Sequence, residues 1–138
     1  MGFKQLIAGA LIGLVSCGTF AAPEWTRVNI TDTGLAISVD TNNIGWVAEY
    51  GHQHNKKAWV KYSIYKDMLQ DGLAVGDYHI ALEWFNCDDR TSGTKSITTY
   101  KKLKNGIVNN RTSSTPYVEM KEVIPGTIGD ETLNIVCS

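Results

Sequence analysis

The sequence predicts a single α+β domain: an antiparallel sheet with one short C-terminal helix, packed on one face and tied there by a disulfide. Three observations predict it. Apolar and polar residues alternate along most of the chain after Glu24, the period-2 pattern of half-buried strands. A helix start, Thr127 with Asp130 three residues on, follows the Pro125-Gly126 punctuation near the end. Beyond an N-terminal leader, Cys87 and Cys137 are the only two thiols. With 138 residues, 43% hydrophobic and 20% charged, the chain has the size and balance of one globular domain.

The first residues are an export address. Lys4 precedes the apolar run Leu6 to Val15, which at about ten residues is too short to span a bilayer. Thr19 and Ala21 then stand at the −3 and −1 positions of a cleavage site, so residues 1–21 are expected to be a signal peptide and 22–138 the domain. Leu14-Val15-Ser16-Cys17 competes with it, because it resembles the lipobox of bacterial lipoproteins, in which Cys17 would carry lipid. Either route places Cys87 and Cys137 in an oxidising compartment, where two remaining thiols are expected to pair.

The strands follow in order. Trp25 to Ile30 is the first, ended by Thr31-Asp32-Thr33-Gly34. Leu35, Ile37 and Val39 line one face of the second, before the turn Thr41-Asn42-Asn43. Ile44 to Tyr50 is expected as a third, broken by Gly51-His52-Gln53-His54-Asn55. Ala58 to Lys66, with Trp59, Tyr62, Ile64 and Tyr65, has the strongest β composition. Asp67 to Gly76 is expected as a loop, with a helical turn at Lys66–Leu69.

Asp77 to Cys87 carries bulk on both sides, which predicts a central strand covered on both faces. Lys95 to Leu103 and Gly106 to Arg111 form a hairpin across Asn105-Gly106, and Tyr117 to Val123 is the last strand. After Thr127 the helix places Leu133, Val136 and Cys137 on one face. A Cys87–Cys137 bond would press that face onto the sheet, with Phe85 and Ala81 beneath it.

The signals for chemistry are sparse. Thirteen basic against fourteen acidic residues give a net charge of −1, which excludes a broad basic surface and nucleic acid as a partner. His52 and His54, two apart, suit a metal or haem site if they lie on a strand, yet no other ligand lies nearby except Glu49. Asp88-Asp89 fits a solvated turn and Asp130-Glu131 the first turn of a helix, where negative charge is favoured. No nucleophile elbow or phosphate loop is present, so no catalytic residue and no cofactor is expected. Lys95, Lys101, Lys102 and Lys104 form a basic stretch that serves either edge-strand protection or an acidic protein or polysaccharide partner. Trp46, Trp59 and Trp84 exceed what a small core needs, which points some of them to a dimer face or a groove.

An ordered set of residues resembles the surface-adhesin protein E-like domains of Gram-negative bacteria. Trp25-Thr26-Arg27-Val28 opens it, followed by Val39-Asp40-Thr41 with Asn43-Ile44, then Ala58-Trp59-Val60-Lys61. A strand ending in Cys87, Asp88-Asp89-Arg90 and a basic strand come next, and Ile124 to Glu131 runs into Val136-Cys137. Met120 departs from it, where relatives often carry Trp, and so do Gly51 to His54 and the Asp67–Gly76 loop. The resemblance implies about six antiparallel strands with a C-terminal helix bridged to them through Cys87 and Cys137. It also implies secretion, a lipid anchor in some members, dimerisation, haemin binding, and adhesion to laminin, vitronectin and plasminogen. The expected function is therefore that of an exported, non-enzymatic binding protein at the surface or in the periplasm. The alternatives are an envelope or inhibitor protein with bacterial partners, or a haem or metal binder.

Overall fold

The computed structural model describes residues 20–66 and 72–138. Alternation builds the sheet as the sequence predicts. Its strands are β1 (Trp25–Ile30), β2 (Leu35–Asp40), β3 (Gly45–Trp46), β4 (Lys56–Ile64), β5 (Tyr78–Asn86), β6 (Thr91–Lys102), β7 (Val108–Ser114) and β8 (Lys121–Glu122). Six of them make an antiparallel path in the order β1-β2-β4-β5-β6-β7. The two-residue strands sit beside it, β3 on the start of β4 and β8 on the start of β6. The helix α1 (Ile128–Cys137) closes the chain.

One face of the sheet collects Ile37, Val39, Ala58, Val60 and Phe85, all buried with Leu133 and Val136 of α1 in one cluster. A ten-residue helix is marginal by itself, so its stability comes from this contact and from its ends. At the start, the Thr127 hydroxyl accepts from the Asp130 N–H at 3.3 Å. The Asp130 carboxylate accepts in return from the Gly126 N–H at 3.0 Å, one residue earlier than a capping box would place it. The last turn has no basic residue of its own. Lys56 of β4 supplies one, its ammonium donating to the Val136 carbonyl at 3.3 Å. The Cys87–Cys137 disulfide, with Cα atoms 5.7 Å apart, fastens that end to the end of β5.

Four expectations change. The third strand, expected over Ile44 to Tyr50, shrinks to Gly45–Trp46, because consecutive turns take over. The His52 N–H donates to Glu49, the Asn55 N–H to His52, and the Val47 N–H to Asn55. The last strand, expected over Tyr117 to Val123, is only Lys121–Glu122, since Pro116 has no N–H and residues 115–120 cross Gly93 without a ladder. β5 is central but not covered on both sides, for its outward Ile80 and Leu82 stay half-exposed. Phe85 does lie under α1, whereas Ala81, buried as well, lies beyond the helix in the wall of an open trough. Residues 1–19 of the leader, Cys17 among them, and all but the first residue of the Lys66–Leu69 turn lie outside the described residues.

Two consequences can be measured. Cys137→Ser opens a loop with a sequence separation of 50, and the chain-entropy model puts the loss at roughly 4 kcal/mol. The urea midpoint should fall accordingly, with the far-ultraviolet signal of the helix lost first. At Gly93 an added Cβ would meet the Glu119 carbonyl oxygen at 2.5 Å and Val118 Cγ1 at 2.6 Å. Gly93→Ala should therefore cost about 1–3 kcal/mol and release the 117–119 segment to limited proteolysis.

Candidate functional site

The helix leaves β6, β7 and the first part of β5 uncovered on its own face of the sheet. Register brings side chains into rows there. One row crosses Tyr62, His79, Thr99 and Arg111, and the next crosses Val60, Ala81, Ile97 and Ser113. Between the rows lies a trough of about 590 Å³, lined by Tyr62, His79, Ala81, Glu83, Ile97 and Arg111 among others. It runs on past Thr99 and Arg111 toward Leu73, Lys101 and Asn109. At its other end Glu83 and Thr94 lead toward Tyr117, Glu119 and Lys121. One end carries Lys101 and Arg111, the other Glu83 and Glu119 with Lys121.

The polar floor is built from three strands, β4, β5 and β6. Tyr62 reaches along the sheet, past the Ala81 row, and its hydroxyl donates to Glu83 Oε1 at 2.6 Å. Burial raises the Glu83 carboxyl above its ordinary value, and the Tyr62 hydrogen bond offsets only part of that rise. The Tyr62 phenol is pushed far up by burial first, then by the Glu83 charge and the bond itself, so it remains a donor. His79 Nδ1 and the Thr99 hydroxyl are 2.8 Å apart, which fixes the ring against β6. Asp77, at the entrance to β5, accepts from the N–H groups of Ala74 and Lys102 at 3.0 Å each, and these hold its carboxyl low. The result is a polar floor in which one acid and one phenol are locked together and one imidazole is paired with a threonine hydroxyl.

A profile of surface-adhesin protein E matches residues 25–138, nearly the whole chain. The chain belongs to the surface-adhesin protein E family. No curated protein and no solved structure matches it significantly. The bridged helix on a six-stranded antiparallel path is what this membership implies, and the fold shows both.

In this adhesin-like chain the basic stretch does not stay together. Lys95 sits at the bulge in β6, pairs with Glu49 at 3.1 Å and lies over the Trp84 ring. Lys101 points to the trough side, where its ammonium donates to the Gly72 carbonyl, while Lys102 points to the opposite face. Lys104 is exposed in the hairpin turn. These lysines belong to β6 and its turn, one strand in from the edge, so they do not shield the edge strand β7. His52 stacks on Trp84 with ring centroids 5.1 Å apart, and His54 is exposed in the turn after it. Among the described residues no three His, Cys, Asp or Glu side chains gather as a metal site. Of the tryptophans, Trp84 is buried, Trp59 is half-buried and Trp46 is exposed.

Sequence reasoning missed Tyr62, Glu83 and Arg111 as neighbours. Alternation put Glu83 on the His79 face, but only the register between strands, and the helix stopping short, opens that face to solvent. The raised carboxyl has a measurable consequence. The native state holds the Glu83 proton more tightly than the unfolded chain, so stability falls as pH rises from the ordinary glutamate range through the raised value. Glu83→Gln should remove that fall. Between about pH 4 and pH 8 the melting temperature of the variant should rise relative to the parent, measured by thermal unfolding in matched buffers.

Proposed function

We propose that this adhesin-type protein is exported to the bacterial surface and binds host extracellular-matrix proteins such as laminin, vitronectin or plasminogen. The observation that carries this reading is the uncovered half of the sheet. The helix covers one half, and the other offers a trough that ends at β7, an edge strand exposed at all seven residues. An extended segment of a partner could pair with β7 and lower alternate side chains into the trough, a recurrent mode of peptide recognition. Ile97, exposed though aliphatic, is the apolar anchor in the middle. Export is supported by the disulfide, which persists only in an oxidising compartment, and by the leader pattern over residues 1–21.

The contacts at the start of the fold bear differently on the two forms of processing: those of Ala22 and Glu24 remain in both, while that of Ala21 remains only in a chain that begins at Cys17. Asn43 and Asn42 donate to the carbonyls of Ala21 and Ala22 at 2.8 and 3.0 Å, and Asp40 accepts from the Glu24 N–H at 3.1 Å. Intact mass spectrometry of the protein isolated from cells should give either the chain from Ala22 or a lipid-modified chain from Cys17. Finding the leader still attached would contradict export.

Binding is tested directly. The purified protein should bind immobilised laminin, vitronectin or plasminogen saturably at micromolar concentration. Ile97→Asp, a change at an exposed position, should weaken that binding at least about tenfold without changing the melting temperature by more than a few degrees. Absence of saturable binding to all three would overturn the host-matrix reading.

A further inference from the structure

The opposite face of the sheet is a second surface with a different chemistry. Register sets its rows as firmly as those of the trough. One row crosses Arg27, Ser38, Lys61, Ile80, Thr98 and Thr112. A neighbouring row crosses Ser63, Tyr78, Tyr100 and Asn110, and another pairs Trp59 with Leu82 and Ser96. Among the described residues no helix covers these rows. Trp25, Trp59, Tyr78 and Tyr100 are all half-exposed.

The charge on this face is one-sided. Arg27, Lys57, Lys61 and Lys102 all project from it, and among the described residues none of the four is in a salt bridge. The rows hold two carboxylates: Asp40, buried and committed to the Glu24 N–H, the Asn42 N–H and the Asn43 amide, and Glu122, exposed on β8 at the far end of the row through Asn86 and Thr91. At the margin Glu49 is taken by Lys95. A chain of net charge −1 thus concentrates unpaired cations on one flat face.

Aromatic rings interleave with those cations. The Lys61 ammonium lies 4.5 Å from the centroid of Tyr78 and 5.6 Å from that of Trp25. Tyr78 stacks on Tyr100 with centroids 4.7 Å apart and planes 15° from parallel. The stack packs the two rings face to face, so Tyr78 lies between Lys61 and Tyr100 and the outer face of Tyr100 is turned away from the pair. Ser63, Thr98 and Asn110 add hydroxyl and amide groups next to it.

We propose that this outer face binds an acidic, sulfated glycan chain. Sulfates and uronates pair with the four cations that lack a salt bridge, a pyranose ring lays its C–H face on the outer face of Tyr100, and sugar hydroxyls meet the serine, threonine and asparagine side chains. Lys57 and Lys61 stand about 13 Å apart along β4, and Arg27 and Lys61 about 10 Å apart across the sheet. Such spacing suits a linear polyanion lying flat, not a compact anion in a pocket. A second copy of this chain fits less well. A two-fold contact centred on β4 would set the Lys57–Lys61 pair against the same pair of the second copy, and the nearby acid, Asp40, is buried and already committed. An acidic protein would meet the cations but leave the outer face of Tyr100 without a role. The surface is distinct from the trough, so protein binding there can fail without touching this assignment.

The test uses the purified protein with heparin, dextran and poly-glutamate as probes. Heparin should bind, with affinity falling steeply as sodium chloride rises from about 0.05 M to 0.5 M, and dextran should not. Lys57→Gln with Lys61→Gln should lower heparin affinity at least about tenfold, and Tyr100→Ala about fivefold. Lys104→Gln, in the hairpin turn, should leave it unchanged. Circular dichroism and melting temperature establish that each variant is folded, and the two lysine changes are at half-exposed positions that tolerate glutamine. Poly-glutamate binding as tightly as heparin would assign the face to an acidic protein instead. Heparin binding indifferent to the lysine pair would overturn the proposal, and so would a concentration-dependent dimer that shields Lys57 and Lys61 from acetylation.

Discussion

The docking of α1 across the sheet, held by Phe85, Leu133, Val136 and the Cys87–Cys137 bond, is the contact on which the rest of the molecule depends. Its reach is limited. Ten helical residues extend about 15 Å with a diameter of about 10 Å, whereas six strands span about 24 Å from first to last. One such helix cannot cover one such sheet. The chain places it over β1, β2, β4 and the end of β5, and among the described residues the remaining half-face and the reverse face, apart from Trp84 beneath His52 and Lys95, are left open.

Composition answers that geometry. The uncovered strands are rich in Thr, Ser and Asn, and β7 is exposed throughout. A sheet with so little apolar surface on its outer strands draws stability from its covered half, so the staple and the Leu133–Phe85 cluster carry a disproportionate share. Polar edges also keep the open strands in solution without a cover. The same arrangement that makes the domain dependent on one disulfide makes two surfaces available to other molecules. Covering and exposure come from a single constraint, the short length of the terminal helix.

Local chemistry was legible wherever it acts through near neighbours. Thr127 capping Asp130, the turn at Asn105-Gly106 and the alternation of β2, β4 and β5 are properties of adjacent residues, and each stands where the pattern puts it. The failures have a common cause as well. Ile44 to Tyr50 alternates like a strand, but Asn55 returns to pair with Val47 and the turns win. Thr91 to Thr94 has no apolar alternation and was missed, yet it is strand, because β5 and β8 flank it and Gly93 admits the Glu119 backbone. Ala81 shares a face with Phe85, but whether a helix lies above it depends on a length measured across strands.

The sequence alone determined that the chain is built for one oxidised α+β domain, which residues alternate, which two cysteines remain to pair, and to which family the pattern belongs. These are carried by local periodicity, capping and count. Only the tertiary structure decided which residues meet. Antiparallel register separated Lys95, Lys101 and Lys102 onto different surfaces, and it joined Tyr62 to Glu83 and Arg27 to Lys61, residues tens of positions apart in the chain. Register is set by pairing across strands, and no window of neighbouring residues contains it.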